Sequence, residues 1–214
     1  MIKISNIETY GVQAAIRGMR NPLNSWADSD SNGDILGEKD CELAFKLTRS
    51  GPDHRKFLRM IHVSMDICAP LYWWKEFDTY KVGTVANSCS TMHKIASKRF
   101  TLDDFSHEHL LGEFGREWGD VVPKKTLDAV IFALNQYRDK YNAEKDPERK
   151  KVYWWQMIQL LPSSYNQLRT VDINYEVARN QYFARRNHKL DEWHTYCHAL
   201  ESLPYYCLIT EEEL

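Results

Sequence analysis

The chain has 214 residues, 43% of them hydrophobic and 27% charged, a usage that suits one packed domain and excludes a disordered chain. With 28 Lys plus Arg against 30 Asp plus Glu, the net charge is −2. No global field draws such a chain to nucleic acid or to an anionic membrane, so a bound anion needs a local cluster of donors. The opening MIKISNIETYG lacks the apolar core of a signal peptide, and no stretch approaches the roughly 20 apolar residues of a membrane span, so a cytoplasmic protein is expected. Five scattered cysteines without a CxxC pair fit reduced thiols.

Residues 2–9 alternate apolar and polar, predicting a strand, and a short helix follows through about Arg17. Asp, Ser, Asn and Gly between Asn21 and Lys39 predict a loop. Asp40–Ser50 reads as a helix with Leu43 and Leu47 on one face and Gly51 at its end. A strand is expected over Arg59–Ile67, and Pro70 opens a helix carrying Tyr72, Trp73, Trp74 and Phe77. Thr101–Val122 holds three glycines and little periodicity. Pro123 starts the clearest helix, to about residue 143, with Leu127, Val130, Ile131, Leu134 and Tyr141 as its apolar stripe. Asp146-Pro147 caps and opens the next, ending near Leu161. Ser163–Ile173 is extended, and two helices follow, Asn174–Arg186 and Lys189–Ser202, stopped by Pro204. With no repeat and no linker, the chain reads as a single α+β domain over 1–214.

The last third concentrates the chemistry. Asn174 and Arg185 lie eleven residues apart, close to three helical turns, so they share a face with Ala178 and Gln181. Arg185, Arg186, His188 and Lys189 make a basic corner that suits a phosphate, Arg supplying a bidentate fork, or else a solvated turn.

The order of features in LLPSSYNQLRTVDINYEVARNQYFARRNHKLDEW resembles the C-terminal segment of the flavin-dependent thymidylate synthase (ThyX) family. There a helix ends in Leu-Pro, an extended stretch leads to an Asn, a second Asn follows six residues on, and an Arg five beyond. The positions here are Asn174, Asn180 and Arg185, with Glu192 as the family's later acidic residue after a one-residue gap. ELAFKLTRSGPDHRKFLRMIHVSMDICAPLYWWKEFDTYK is similar to a second family region, matching its Ala-Pro at Ala69-Pro70 and a basic position at Lys75.

The resemblance implies a small antiparallel sheet packed with several helices. It implies FAD, reduced by NADPH, and methylation of dUMP to dTMP with methylenetetrahydrofolate. It also implies a homotetramer. Asn174 and Asn180 would then face flavin or nucleotide, joined by Lys81, Asn87, Ser88 and Ser90, while Arg185 and Lys75 would hold the substrate phosphate. The protein contributes no covalent nucleophile in that scheme, and no metal is expected.

The pattern departs from the family in the middle. The Arg-His-Arg signature becomes Thr79-Tyr80-Lys81, the later Ser-x-Arg-Tyr falls in Ser88–His93, and the His that lies near the flavin falls at Met60, two residues from His62. Each lost charge-assisted hydrogen bond is worth roughly 1.5–3 kcal/mol. Lys75, Lys81, His93, Lys94 and Arg99 are candidate replacements. The alternative is therefore a ThyX-derived nucleotide- or flavin-binding protein without synthase activity, and a more remote one is an interaction protein without ligand.

Three other features carry weaker signals. Asp28–Ile35 matches the first eight positions of a calcium loop, but Lys39 stands where a bidentate Glu belongs, which favours a flexible polar loop. His194 and His198 have chelating helical spacing but flank an apolar seam of Leu190, Trp193, Cys197 and Leu200, as satisfied histidines do. Cys89, in a Ser-rich loop, is the thiol to test for reactivity.

Overall fold

The structure, a computed structural model, describes residues 2–112 and 121–212. Part of the glycine-containing segment Thr101–Val122 and the end of the acidic tail lie outside the described residues. The chain groups into two compact units. One comprises Cys68–Lys75 and Ser88–Leu168, the other Ile2–Ile67, Glu76–Asn87 and the chain from Arg169 onward.

Four strands form one sheet: β1 (Lys3–Tyr10), β2 (His62–Pro70), β3 (Thr84–Ser88) and β4 (Asn166–Asn174), in the order β1-β2-β4-β3. The amides of Leu71 and Tyr175 bond to the carbonyls of Tyr165 and Ile61, which fixes β2 and β4 as antiparallel. Along β2 the inward residues Val63, Met65, Ile67 and Ala69 are buried and alternate with half-exposed His62, Ser64, Asp66 and Cys68. β2 starts at His62 rather than Arg59, because Phe57 and Leu58 are consecutive buried residues. A strand cannot bury neighbours on one face, and the tight helical turn Arg55–Met60 does so.

In the first unit, α5 (Pro123–Ala143) and α6 (Pro147–Leu160) pack Leu127, Leu134 and Met157 with Ile95, Phe100 and Phe105. The Asp146 carboxylate accepts the Glu148 amide and caps α6, as the Asp-Pro pair requires. Asn135 is buried, but its carboxamide bonds both the amide and the carbonyl of Phe100 at 2.9 Å. The adjacent Trp73 and Trp74 are core residues, 0% and 1% exposed.

The second unit holds α1 (Val12–Arg20), α2 (Glu38–Arg49), α7 (Tyr175–Arg185) and α8 (Asp191–Glu201). α3 (Leu71–Phe77) follows directly on Pro70. α2 buries Asp40, Ala44 and Thr48 rather than Leu43 and Leu47, which stay partly exposed. The reason is electrostatic. Asp40 is fully buried beside Arg20, itself 5% exposed, with 2.5 Å between Arg20 Nε and Asp40 Oδ1. The hydroxyls of Ser29 and Ser31 and the Ser31 amide donate to the other oxygen.

The Asp-rich segment is thereby ordered rather than flexible. Asp30 accepts the amides of Lys39 and Asp40 at 3.0 and 3.1 Å and caps α2, and Asp34 accepts the Gln13 amide. The Asp30 and Asp34 carboxylates face backbone donors. Among the described residues no group of three or more His, Cys, Asp or Glu is placed to hold a metal, and no helix is long and apolar enough to cross a membrane.

Burial pushes the Asp40 carboxyl up, but bonds from Ser29, Ser31 and Arg20 outweigh it and hold it below the usual range. A depressed carboxyl stabilises the fold above its unfolded value, about 3.9, and loses that contribution as pH falls through its folded value. Asp40→Asn should lower stability by about 3–5 kcal/mol in urea titrations at pH 7, because Arg20 is left buried without its charge partner. The gap to the parent should narrow below about pH 4. An unchanged midpoint at pH 7 would contradict this.

Candidate functional site

The face of α7 singled out by spacing is real, and most of it is closed. Asn174, Ala178 and Gln181 are buried. Gln181 accepts the Tyr196 hydroxyl from α8 at 2.6 Å. Asn174 lies just before the helix, and its Oδ1 accepts the Val177 amide at 3.0 Å, an N-cap. Its Nδ2 lies so near Gly83 that a Cβ there would sit 2.6 Å away, and Gly83 has φ +75°, which only glycine tolerates readily. The Asn174 carboxamide thus serves the fold, and Asn180 is exposed.

Arg185 ends the same face. Its Nη1 lies 2.8 Å from Glu76 Oε2 and its Nε donates to the Tyr80 hydroxyl at 3.0 Å. The guanidinium carbon stands 4.9 Å from the centre of the Trp193 ring and 5.6 Å from that of Tyr80. Trp193 Nε1 and His188 Nε2 approach the same Glu76 oxygen at 3.0 and 3.3 Å. The basic corner is therefore split: Arg185 and His188 turn to Glu76, while Arg186 lies over Tyr182 and Phe183. The Tyr182 hydroxyl is pushed up to about 12 by burial and by its bond to Glu201.

The cations of the HRKFLR turn meet a carboxylate as well. Arg59 Nε bonds Glu176 Oε2 at 2.7 Å and Arg55 Nε lies 3.6 Å from the other oxygen. Glu176, in the first turn of α7, is 8% exposed and is favoured there by the helix dipole. Met60 ends this turn and lies on the wall of a cavity of about 1080 Å3. Leu43, Leu47, Met19 and Phe57 give it apolar walls, Lys39 and Lys56 add positive groups, and His54 adds an imidazole. None of these seven was singled out for ligand binding from the sequence. The legible signal is Leu43 and Leu47 on one helical face, a spacing that fits a cavity wall as well as a core.

His62 does not join Met60 at that wall. Its Nδ1 lies 2.9 Å from Asp172 Oδ1, the Tyr10 ring stacks on it at 5.4 Å, and Ser64 and Tyr10 donate to the other Asp172 oxygen. Burial pushes the Asp172 carboxyl up, and these three partners pull it below the usual range.

Lys75, Lys81, Asn87 and Ser88 are exposed. Ser90 caps the short helix α4 (Thr91–Lys94) by accepting the His93 amide at 3.1 Å. Of the candidate replacement cations, Arg99 pairs with Asp139 at 3.4 Å, and Lys94 and His93 are exposed. Cys89 is an exposed free thiol. His194 and His198 sit near Asp191 and Glu201 respectively, on the outside of the seam formed by Trp193, Cys197 and Leu200.

No family model and no curated protein matches this sequence. Solved structures do. ThyX from Helicobacter pylori with FAD and dUMP superposes with a TM-score of 0.67 at 17% identity, covering 99% of this chain and 98% of that one. A further structure of the H. pylori enzyme with FAD and dUMP gives 0.67 at 18%, covering 97% and 99%. The UMP/dUMP methylase PolB from Streptomyces cacaoi, bound with 5-Br dUMP, gives 0.58 at 14%, covering 98% and 91%. The chain has a ThyX-like fold along its length, with a sequence far diverged from these proteins.

Asn174→Ala should cost about 1 kcal/mol of stability through loss of the α7 cap, and Asn174→Asp should retain most of it, read as shifts in thermal midpoint. Equal losses in both variants would contradict the capping role.

Proposed function

We propose that this protein binds a pyrimidine nucleoside monophosphate and, with FAD, methylates it as ThyX does, converting dUMP to dTMP with methylenetetrahydrofolate and NADPH. The observation that carries the reading is the end-to-end likeness, over 99% of the chain, to a ThyX structure that holds FAD and dUMP. The methylase with 5-Br dUMP supports the same ligand class from a second, more distant protein.

The residues present fit a flat, phosphate-bearing cofactor. The cavity beside Met60 joins apolar walls to Lys39, Lys56 and His54, with Asp28 and Asp53 also on its lining; the apolar walls suit an aromatic ring system and the two lysines its phosphate. By the resemblance, Lys81, Asn87, Ser88, Ser90, Asn174 and Asn180 would contact the flavin, and none of them lines the cavity beside Met60. When bound, FAD supplies the redox chemistry of the reaction. The chain's own task is positioning: Arg185, oriented by Tyr80 and Trp193, would hold the nucleotide's phosphate, and the resemblance assigns Lys75 to the substrate as well. The protein would act as a homotetramer.

A second reading is a nucleotide- or flavin-binding protein that does not carry out the synthase reaction. The observation that favours it is local. At the Arg-His-Arg position stands Thr79-Tyr80-Lys81, and the Tyr80 hydroxyl is bonded to Arg185.

The absorbance spectrum of the purified protein, titrated with FAD, followed by assay of dTMP formation, separates these. Flavin uptake near one per chain with dTMP produced supports synthase activity. Flavin and dUMP binding without dTMP selects the second reading. Absence of binding to either ligand overturns both.

A further inference from the structure

Two donors, Arg185 and Trp193, with the His188 ring beside them, hold the Glu76 carboxylate. One oxygen, Glu76 Oε2, accepts from Arg185 Nη1 at 2.8 Å and Trp193 Nε1 at 3.0 Å, and His188 Nε2 lies 3.3 Å from it. His188 lies beside that oxygen without a hydrogen bond to it. Its Nδ1 accepts the Leu190 amide at 3.2 Å, so that nitrogen carries the lone pair and the ring proton sits on Nε2, toward Glu76. Two N–H groups of different elements thus bond one oxygen, and a third lies near it.

Both donors are held by contacts other than Glu76. Arg185 is fixed through Nε by the Tyr80 hydroxyl and lies against the Trp193 and Tyr80 rings. Trp193 is fully buried, edge-on to Tyr196. The donors therefore stay aimed if the carboxylate leaves. The Glu76 side chain is 34% exposed, more open than Arg185 at 19% or His188 at 25%, so the carboxylate is the partner with a path into water.

We propose that Glu76 is an internal competitor for this anion site, and that a phosphate group enters by displacing its carboxylate from Arg185, His188 and Trp193. That the phosphate belongs to a pyrimidine nucleotide rests on the function proposed above; the anion site itself does not. A phosphate brings more charge and three acceptor oxygens to donors that now share one, which is why it can take the place of a carboxylate. The same feature makes Glu76 a specificity residue. With its carboxylate seated, the site favours ligands whose phosphate can evict it and gives nothing to a neutral nucleoside.

The test is calorimetric titration of the full-length protein and Glu76→Gln with inorganic phosphate, dUMP and deoxyuridine. Glutamine keeps an acceptor for Trp193 but removes the competing charge. Phosphate and dUMP should bind the variant at least about tenfold more tightly than the parent, with deoxyuridine unchanged. Adding Arg185→Ala should abolish the gain. Equal or weaker phosphate and dUMP binding by Glu76→Gln overturns the proposal, and if dUMP still binds both proteins, the nucleotide reading survives it. A gain for phosphate but none for dUMP leaves the anion site standing and overturns the nucleotide reading.

Should Glu76→Gln fail to fold, the parent decides. Phosphate should shift the indole N–H resonance of Trp193, assigned with Trp193→Phe, and an unmoved resonance at saturating phosphate overturns displacement.

Discussion

The register of β2 against β4 is the constraint on which the rest depends. The bonds Leu71 to Tyr165 and Tyr175 to Ile61 set it. A slip of one residue would turn Val63, Met65 and Ile67 from the interior to the half-exposed face and bring His62 and Asp66 inside. Register also sets the polar face, where Asp172 gathers His62, Ser64 and Tyr10 and Asp66 gathers Asn6 and Thr170. The strand ends matter as much. Pro70 passes straight into α3, which carries Glu76, and Asn174 straight into α7, which carries Arg185.

Within that frame, charge is settled in pairs that bridge distant parts of the sequence. Arg20 meets Asp40, Arg59 meets Glu176, and Arg185 meets Glu76. The pairs differ in consequence because they differ in exposure. Arg20 and Asp40 are sealed from water, and such a pair fixes a loop and a helix start. Arg185 and Glu76 border solvent, and a half-open pair can be exchanged for another anion at modest cost. A guanidinium that resemblance alone assigns to a phosphate is thus already partnered. The chemistry of the site is a competition between two anions.

Local signals in the sequence were readable where local physics decides. Pro123 with its apolar stripe, Asp146-Pro147 and the pair of C-terminal helices all lie where their caps and periodicity place them. The order of Asn174, Asn180 and Arg185 carried the fold resemblance. What could not be read was decided by partners far away in sequence. Glu76 and Arg185 are 109 residues apart, and nothing in YWWKEF marks its Glu as an acceptor for Arg185 and Trp193. The cavity beside Met60 was hidden for a similar reason. Burying Asp40 rotates α2, and Leu43 and Leu47 then line an opening instead of filling a core.

The most direct measurement is a crystal structure of the protein grown with dUMP. The account predicts the nucleotide phosphate within hydrogen-bonding distance of Arg185 and Trp193, and the Glu76 carboxylate turned into solvent. A nucleotide bound elsewhere, with the Arg185–Glu76 contact intact, would contradict it.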